Sequence, residues 1–551
     1  MQNDYVRNLR KRLTGEVEDN PDTLEEFSTD ASLFKVRPTA VTFPKDVEDV
    51  QTLVRYVSEN KEDMPELSLT ARSAGTCMSG GPLNDSLIVE FTRHFDRESV
   101  DPDNLEAEVQ PGVYYHDFEN MILPQNISMP VYPASKSIAA TGGMIMNNCG
   151  GEKTLRYGQM RDFVNEIDVV LADGNEYTFG PISKEELEAK MEQDNFEGDV
   201  YRKTFKLLDE NYDLVKQAKP RTSKNSAGYA LWEVWDKEEG VFDLSQLFVG
   251  SQGTLGILTD ARVRLIEQPK HRRLATLFMK NWDELPELIN DLLEVEPESL
   301  ETFDDETMKL GLRFMPQIAE EAGENLLSFA SQFTPELKIG MKMMGMPKLV
   351  VMAEFAEDDE SVMNEKLNKL PAIADAYDGV YLRIPKEGEG EKYWTMRRKS
   401  FSLLRESVGG KRTAPFIDDI CVQPKDLPDV LPKVLKILED EDIDVTLAGH
   451  AGSGNFHIIP LMDLTKEEEK EKIPRISKKV YKIIIEHGGT ITAEHNDGLI
   501  RSPFLEDMYG EEVYDLFKKV KDIFDPQNIF NPGKKVNADF ESAMDHIASK
   551  E

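Results

Sequence analysis

The sequence predicts an α+β fold built around more than one core. The chain has 551 residues, more than one ordinary hydrophobic core organises. Its first half mixes short apolar strands, amphipathic helices and glycine-containing loops, with no internal repeat and no low-complexity tract. After Gln268-Pro269 the character shifts to strands alternating with acidic amphipathic helices, as far as about residue 445. That shift predicts a second domain of strands backed by helices.

The elements follow in order. Tyr5 to Leu13 carries apolar residues at helical spacing and gives way to Ser28-Thr29-Asp30-Ala31-Ser32. Ala40-Val41-Thr42-Phe43 reads as a strand stopped by Pro44, and Val47 to Ser58 as a helix with Val50, Leu53, Val54 and Val57 on one face. A strand at Leu67-Ser68-Leu69-Thr70 runs into the loop that begins at Arg72. Further strands are expected at Leu87 to Phe91, Leu105 to Val109 and Ile167 to Leu171, the last closed by the hairpin signal Asp173-Gly174. Thr465 to Ile485 reads as a charged helix opened by a capping box, Thr465-Lys466-Glu467-Glu468, and stopped before Gly488-Gly489. Met341, Met343, Met344 and Met346 are expected to fill core or loop rather than form a soft partner surface.

Composition narrows the function classes. With 40% hydrophobic and 30% charged residues the chain is globular, and no apolar run reaches membrane-span length. No charged-then-apolar leader opens it, so a cytoplasmic protein is expected. A net charge of −38 argues against nucleic acid and against electrostatic docking on anionic lipid. An anionic substrate would need a local cationic pocket working against that field. Cys77, Cys149 and Cys421 lie too far apart for a disulfide framework or an iron–sulfur signature.

The chemistry concentrates near the C-terminus. Three of the eight histidines fall in Gly449-His450-Ala451-Gly452-Ser453-Gly454-Asn455-Phe456-His457 and Glu494-His495-Asn496, while His94, His116 and His271 read as ordinary hydrogen-bonded residues. Two imidazoles and a carboxylate (His450, His457, Glu494) make an open site for a divalent metal, zinc or manganese, and leave His495 free to move a proton. The helix between the two segments would link the halves of that site.

Several loops suit a phosphate-bearing ligand. Arg72-Ser73-Ala74-Gly75-Thr76-Cys77-Met78-Ser79-Gly80-Gly81 follows a strand and is rich in small residues, so that successive backbone N–H groups can face an anion. It is neither a nucleotide-triphosphate loop nor a Gly-x-Gly-x-x-Gly fingerprint. Val109-Gln110-Pro111-Gly112-Val113, Ala140 to Gly151 with Tyr157-Gly158 and Arg161-Asp162, and Val249 to Thr259 add glycines where backbone approaches something closely.

In this order the segments resemble the flavin-binding domain of the vanillyl-alcohol oxidase / p-cresol methylhydroxylase superfamily, and within it the D-lactate, glycolate and D-2-hydroxyglutarate dehydrogenase branch. The histidine segments and the tail Phe524-Asp525-Pro526-Gln527-Asn528-Ile529-Phe530-Asn531-Pro532-Gly533-Lys534 match the branch's C-terminal half, so six motifs span roughly residues 25 to 540. The resemblance implies a two-subdomain FAD-binding domain of the p-cresol methylhydroxylase type, an α+β cap domain, and a C-terminal segment that returns to the flavin. The expected boundaries are a helical segment at 1–35, the FAD domain at 36–268, a substrate domain carrying the metal at 269–500, and a C-terminal helical segment at 501–551.

It also implies site roles. Arg72, Ser73, Ala74, Gly75, Thr76, Cys77, Ser79 and Gly80 would bind the pyrophosphate. Pro133, Ser135, Thr141, Gly142, Gly143, Asn147 and Asn148 would follow the ribityl chain and ring. Gly253 and Ile257 would serve the adenine end, and Asn531 would approach from the tail. FAD is expected to be non-covalent, because the histidine that covalent members carry in the pyrophosphate loop is absent here. The implied reaction oxidises a small 2-hydroxy acid, with hydride to flavin N5, His495 as general base and Arg397 (in Trp394-Thr395-Met396-Arg397-Arg398) as carboxylate clamp. Asn455 is placed to orient a ligand.

Some residues depart from the branch. Ser73 and Ala74 replace glycines, Gln252 stands for a usual glutamate, and Asn496 follows His495 where glycine is common. Ile417 stands where the 2-hydroxyglutarate enzymes carry a lysine, two residues before the aspartate matched by Asp419, leaving Arg412 or Arg501 to hold a second carboxylate. Large bacterial relatives fuse a cysteine-rich module to this core, which three scattered cysteines do not provide. Electrons would therefore pass to a separate acceptor: a quinone, an electron-transfer flavoprotein or an iron–sulfur protein. Two alternatives stand beside this reading. One is a non-redox transferase resembling alkyldihydroxyacetonephosphate synthase, whose histidine run is missing here; the other is an inactive flavin-binding subunit, which would not need the histidine–glutamate set.

Overall fold

Where apolar residues alternate or recur at helical spacing, the chain forms the elements that the spacing predicts. The computed structural model describes residues 2–313, 315–316, 325, 331–386, 388–403 and 411–548. Ala40–Phe43 is a strand and Val47–Asn60 a helix that buries Val50, Leu53, Val54 and Val57. Asp46 caps this helix by accepting from Asp49 N at 3.1 Å, satisfying one of the amides that a helix start leaves free.

Three sheets carry the architecture. The first runs Glu16–Glu18, Ala40–Phe43, Leu87–Glu90, Leu69–Arg72, the last three mutually parallel. The expected strand at 67–70 lies two residues further on, because parallel pairing sets Leu69 opposite Leu87, while Ser68 N is taken by Ser86 Oγ at 2.9 Å. Arg72 therefore ends the strand, and the small-residue loop starts directly at the sheet's edge. The second sheet is antiparallel, ordered Glu98–Asp101, Glu106–Val109, Ile257–Arg264, Val164–Val170, Glu176–Phe179. Its Val164–Val170/Glu176–Phe179 hairpin turns through Gly174 at φ +75°, a conformation that favours glycine.

The third sheet is the largest: Val380–Arg383, His271–Met279, Leu349–Glu357, Ser299–Asp304, Asp444–His450, Asn455–Met462, Arg412–Thr413, with Ile420–Cys421 also paired to Asn455–Met462. Helices Leu285–Leu293, Glu360–Asp375, Leu427–Asp440 and Lys472–Glu486 cover it with leucine-, valine- and isoleucine-rich faces. The C-terminal tail then returns to the first sheet. Phe530 bridges Leu69, and Asn531 N donates to Leu69 O at 2.8 Å. Lys521 anchors the return, its buried ammonium donating to Thr254 O, Asp525 Oδ2 and Phe530 O, all at 2.6 Å.

One expectation is corrected, and another holds in part. Thr465 makes no capping box; its hydroxyl donates to Asp463 Oδ1 at 2.5 Å, and the charged stretch splits into helices Glu467–Lys470 and Lys472–Glu486. Local side-chain bonding competes with the cap and wins here. Of these four methionines Met343 is buried in the core, Met344 and Met346 lie exposed in the loop after the helix, and Met341 is exposed on the helix itself. The helix Thr334–Met343 lays one side on the sheet and ends at Met344 in a left-handed turn, φ +57°, which swings the following methionines outward.

Candidate active site

The site forms where the first sheet's edge loop meets the third sheet's histidine hairpin. A cavity is lined by Arg72, Ser73, Ala74, Gly75, Thr76 and Cys77, by Gly142, Gly143 and Asn147, and by Gly253. A second cavity shares Thr76, Cys77, Gly143 and Asn147 with it and continues past Pro133 and Ser135 to Arg397, His450, His457, Glu494 and His495. One trough thus joins the expected pyrophosphate loop to the expected metal ligands.

Not every expected cofactor residue faces this trough. Ser79 donates its hydroxyl to His495 O at 3.2 Å, and a side chain on Gly80 would meet the Phe34 ring at 2.9 Å. Thr141 donates to Gln110 O at 2.6 Å, and Asn148 is buried, donating to Asn225 O at 3.1 Å. Asn531 donates to Gly81 O and Gln252 O at 3.0 and 2.7 Å. These residues brace the wall from behind. Ile257 belongs to the N-terminal core, while Leu258 lines the cavity in its place, because side chains alternate along a strand.

The trough fits a flavin dinucleotide on its own chemistry. The Arg72 guanidinium sits over the loop, so close to Gly75 that a Cβ there would be 2.4 Å from its Nη2. Gly75 has φ +66°, the turned backbone that points successive amides at an anion. Burial lowers the pKa of Arg72, and its nearest carboxylate, Asp30, is itself pushed up to about 6 by burial, with Oδ2 unpartnered among the described residues. A half-buried guanidinium beside a loop of small residues suits a diphosphate. A Cβ on Gly143 would meet nothing within 4 Å, so this glycine opens onto the trough. Gly143→Ala is therefore expected to leave the cofactor-free protein as stable or up to about 1 kcal/mol more stable, since alanine favours a helix. The same change should weaken FAD binding about tenfold or more by displacing the ring. Parallel thermal melts and flavin titrations measure both effects.

Hairpin geometry assembles the histidines. Asp444–His450 and Asn455–Met462 pair with Ala448 opposite His457 and His450 opposite Asn455, which puts His450 and His457 diagonally on one face. The turn closes through Gly454 at φ +69°, where a Cβ would lie 1.9 Å from Val422 O. Gly454→Ala is expected to cost roughly 2 kcal/mol or more from the left-handed conformation and the clash, and to weaken metal binding with it; denaturation and metal dialysis test this.

Each imidazole is held by Nδ1. His450 Nδ1 pairs with Glu301 Oε1 at 2.8 Å, and His457 Nδ1 with Asp418 O at 3.0 Å. Both Nε2 atoms then face one oxygen, Glu494 Oε1, at 3.1 and 3.4 Å. Burial lowers the pKa of His457; at His450 the same effect is outweighed by Glu301 and Glu494, and its pKa is raised. Glu494 is also buried, yet Lys224 and His450 hold it well below the usual carboxylate range. Two ring nitrogens and a carboxylate oxygen thus converge on one point, and acceptors on Nδ1 are what metal-ligating histidines use.

Ligand atoms of Asp419, His457, Glu494 and His495 lie within 4.8 Å of one another, a group that includes His495 and not His450, but the Asp419 oxygens are already committed. Oδ2 accepts from Glu494 N, His495 N and Thr492 Oγ1 at 2.9, 2.7 and 2.7 Å, and Oδ1 from Asn455 Nδ2 at 3.1 Å. It holds the Glu494-His495 backbone in place. His495 stacks on His457 with centroids 5.0 Å apart and pairs its Nδ1 with Asp418 Oδ2 at 2.9 Å. Burial would lower its pKa, but Asp419 and Asp418 outweigh that and push it up to about 9, away from the near-neutral value expected of an unperturbed imidazole.

The expected cations divide. Arg397 lines the cavity and is buried, with its guanidinium paired to Glu301 and 3.7 Å from Glu152; Arg398 forks onto Glu152 at 2.8 and 2.7 Å. Arg501 is fully buried on Asp418, and Arg412 donates to Leu33 O and Ala548 O. Neither lines the cavity, so neither is placed to hold a second substrate carboxylate. Sequence reasoning missed Lys224, Glu301, Asp418 and Glu152. The signal for Asp418 was present, a carboxylate pair inside the apolar run Phe416 to Val422, which burial must neutralise.

Comparison with known proteins identifies flavin-linked relatives. Residues 38–180 match the family described as FAD binding domain, and residues 268–535 match FAD linked oxidases, C-terminal domain. D-2-hydroxyglutarate dehydrogenase of Escherichia coli (strain K12) is 28% identical over 516 residues, 92% of this chain and 49% of that protein. Glycolate oxidase subunit GlcD of Bacillus subtilis (strain 168) is 28% identical over 514 residues, 92% of this chain and 91% of that protein. The chain spans about half the length, 49–51%, of four of the D-2-hydroxyglutarate dehydrogenases that it matches, and 96% of a fifth. Among solved structures, p-cresol methylhydroxylase with substrate bound superposes with a TM-score of 0.68 at 16% identity, covering 98% of this chain and 97% of that one, a likeness of fold.

Proposed function

We propose, from the premise that this chain belongs to the FAD-linked oxidases of the vanillyl-alcohol oxidase / p-cresol methylhydroxylase superfamily, that it oxidises a small D-2-hydroxy acid to the 2-oxo acid. The observation that carries this is the convergence of His450 Nε2 and His457 Nε2 on Glu494 Oε1, at 3.1 and 3.4 Å, in the same trough as the Arg72 loop. Bound FAD supplies the two-electron acceptor, and a divalent metal held by His450, His457 and Glu494 supplies Lewis-acid polarisation of the substrate hydroxyl.

The chain's own residues orient the substrate and manage its proton. Arg397 offers a guanidinium at the cavity wall, with Glu301 fixing its direction and matching its charge. Asp418 holds His495 by Nδ1, so Nε2 is the atom that exchanges a proton with substrate. With two aspartates keeping that ring near 9, it rests protonated at neutral pH; a cation on the adjoining ligands would oppose this and lower its pKa toward that of a working base. Lys136, Arg397 and Arg398 line the cavity, paired with Glu119, Glu301 and Glu152 respectively, so an anionic substrate would share these cations with their carboxylates. Electrons leave to a separate acceptor: a quinone, an electron-transfer flavoprotein or an iron–sulfur protein. Among the described residues no helix is long and apolar enough to cross a membrane.

Anaerobic mixing of the FAD-loaded protein with a panel of D-2-hydroxy acids, with and without chelator, tests this reading. Bleaching of the flavin by at least one of them, lost with chelator and recovered with metal, is the expected result. A flavin that stays oxidised with every member of the panel overturns the reading.

A further inference from the structure

We propose that Lys224 is a positioning residue for the metal, holding Glu494 so that only one carboxylate oxygen faces the two histidines; this rests on the metal reading above. Lys224 lies in the loop between helices Tyr212–Gln217 and Leu231–Val234, far in sequence from the histidines, and is 0% exposed. Its ammonium donates to Glu494 Oε2 at 2.8 Å, Asn455 Oδ1 at 3.3 Å and Gly151 O at 3.4 Å. Three donors meet three oxygens. Glu494 Oε2 is thereby occupied, and Oε1 alone remains toward His450 and His457.

The backbone makes room for this arrangement. A Cβ on Gly150 would lie 2.8 Å from Glu494 Oε2 and 3.5 Å from Lys224 Cε, so glycine lets the loop at 150–151 press against the pair. Through Asn455, which donates to Asp419 Oδ1 and Ile420 O at 3.1 Å each, the same ammonium reaches the histidine hairpin. A carboxylate tethered by one oxygen ligates through the other, which leaves the remaining coordination positions for a chelating substrate. Without the ammonium, Glu494 is free to turn and offer both oxygens, closing a position that the substrate needs.

Cobalt(II) is the probe, added to FAD-loaded protein stripped of metal, with affinity from equilibrium dialysis and coordination from the visible d–d bands. Lys224→Met is expected to shift cobalt affinity about tenfold or more and to show altered bands, as the carboxylate changes from one ligating oxygen to two. Lys224→Gln is the second neutral variant, read if the methionine protein does not fold by circular dichroism. A folded neutral variant that takes cobalt as tightly as the wild type, with wild-type bands, overturns the inference and leaves the metal site standing. Failure of the wild-type protein to bind cobalt overturns the metal reading itself, and this inference with it.

Discussion

Glu494→Gln is expected to slow flavin reduction by a D-2-hydroxy acid by about a thousandfold or more, while the protein keeps its FAD. The carboxylate is the one anion among the three proposed ligands, and the two imidazoles converge on its Oε1 at 3.1 and 3.4 Å. An amide of the same shape supplies no charge to hold a dication. The pyrophosphate loop, from Arg72 to Cys77, lies in the other part of the trough, so cofactor retention separates loss of the metal from loss of the fold. The substitution also leaves the buried Lys224 ammonium facing a neutral group, so the melting temperature should fall as well. Stopped-flow reduction, flavin content and metal content on one preparation check all three. A variant that retains metal and reduces its flavin within about tenfold of wild type contradicts the ligand assignment.

The largest loss of stability is expected from Asp418→Asn, about 3–5 kcal/mol. Asp418 and Arg501 are both 0% exposed and paired, and the second carboxylate oxygen holds His495 Nδ1 at 2.9 Å. Arg501 Nε has no partner among the described residues, while its Nη atoms also donate to Asn496 O and Pro415 O at 3.2 and 3.3 Å. Neutralising Asp418 leaves the buried guanidinium without the carboxylate that it is bonded to, and removing one member of a buried pair costs far more than the pair gains over apolar replacements. The control is Asp440→Asn at the Lys436–Asp440 contact, 2.6 Å long with both side chains 61% exposed. That change should cost under about 0.5 kcal/mol. Comparable denaturation midpoints for the two variants would contradict the buried-pair account.

Sequence patterns make contacts legible when one element carries both partners. His450 and His457 are seven residues apart with glycines between them, and an antiparallel hairpin turns that spacing into a diagonal pair on one face. The Arg72 loop was legible because small residues after a strand let successive backbone amides turn toward an anion. Lys224 was not. It meets Glu494 across 270 positions, and nothing in its local sequence marks a buried lysine. Glu301, 149 positions from His450, is hidden for the same reason. Glycine-rich segments located the cofactor wall but did not reveal which side chains face it: Leu258 rather than Ile257 lines the cavity, since a strand sends alternate residues to opposite faces. Arg501 reads as a cation available to substrate until its buried partner Asp418 is seen. Long-range pairing of charges is what local periodicity does not encode.

The central claim is that His450, His457 and Glu494 hold a divalent metal beside a bound flavin. Anomalous diffraction at the zinc edge, from crystals loaded with FAD and zinc, tests it most directly. The account predicts a single strong peak about 2.0–2.2 Å from His450 Nε2, His457 Nε2 and a Glu494 carboxylate oxygen, in the trough that holds the flavin ring. A seated flavin with no anomalous peak at these three residues would contradict it.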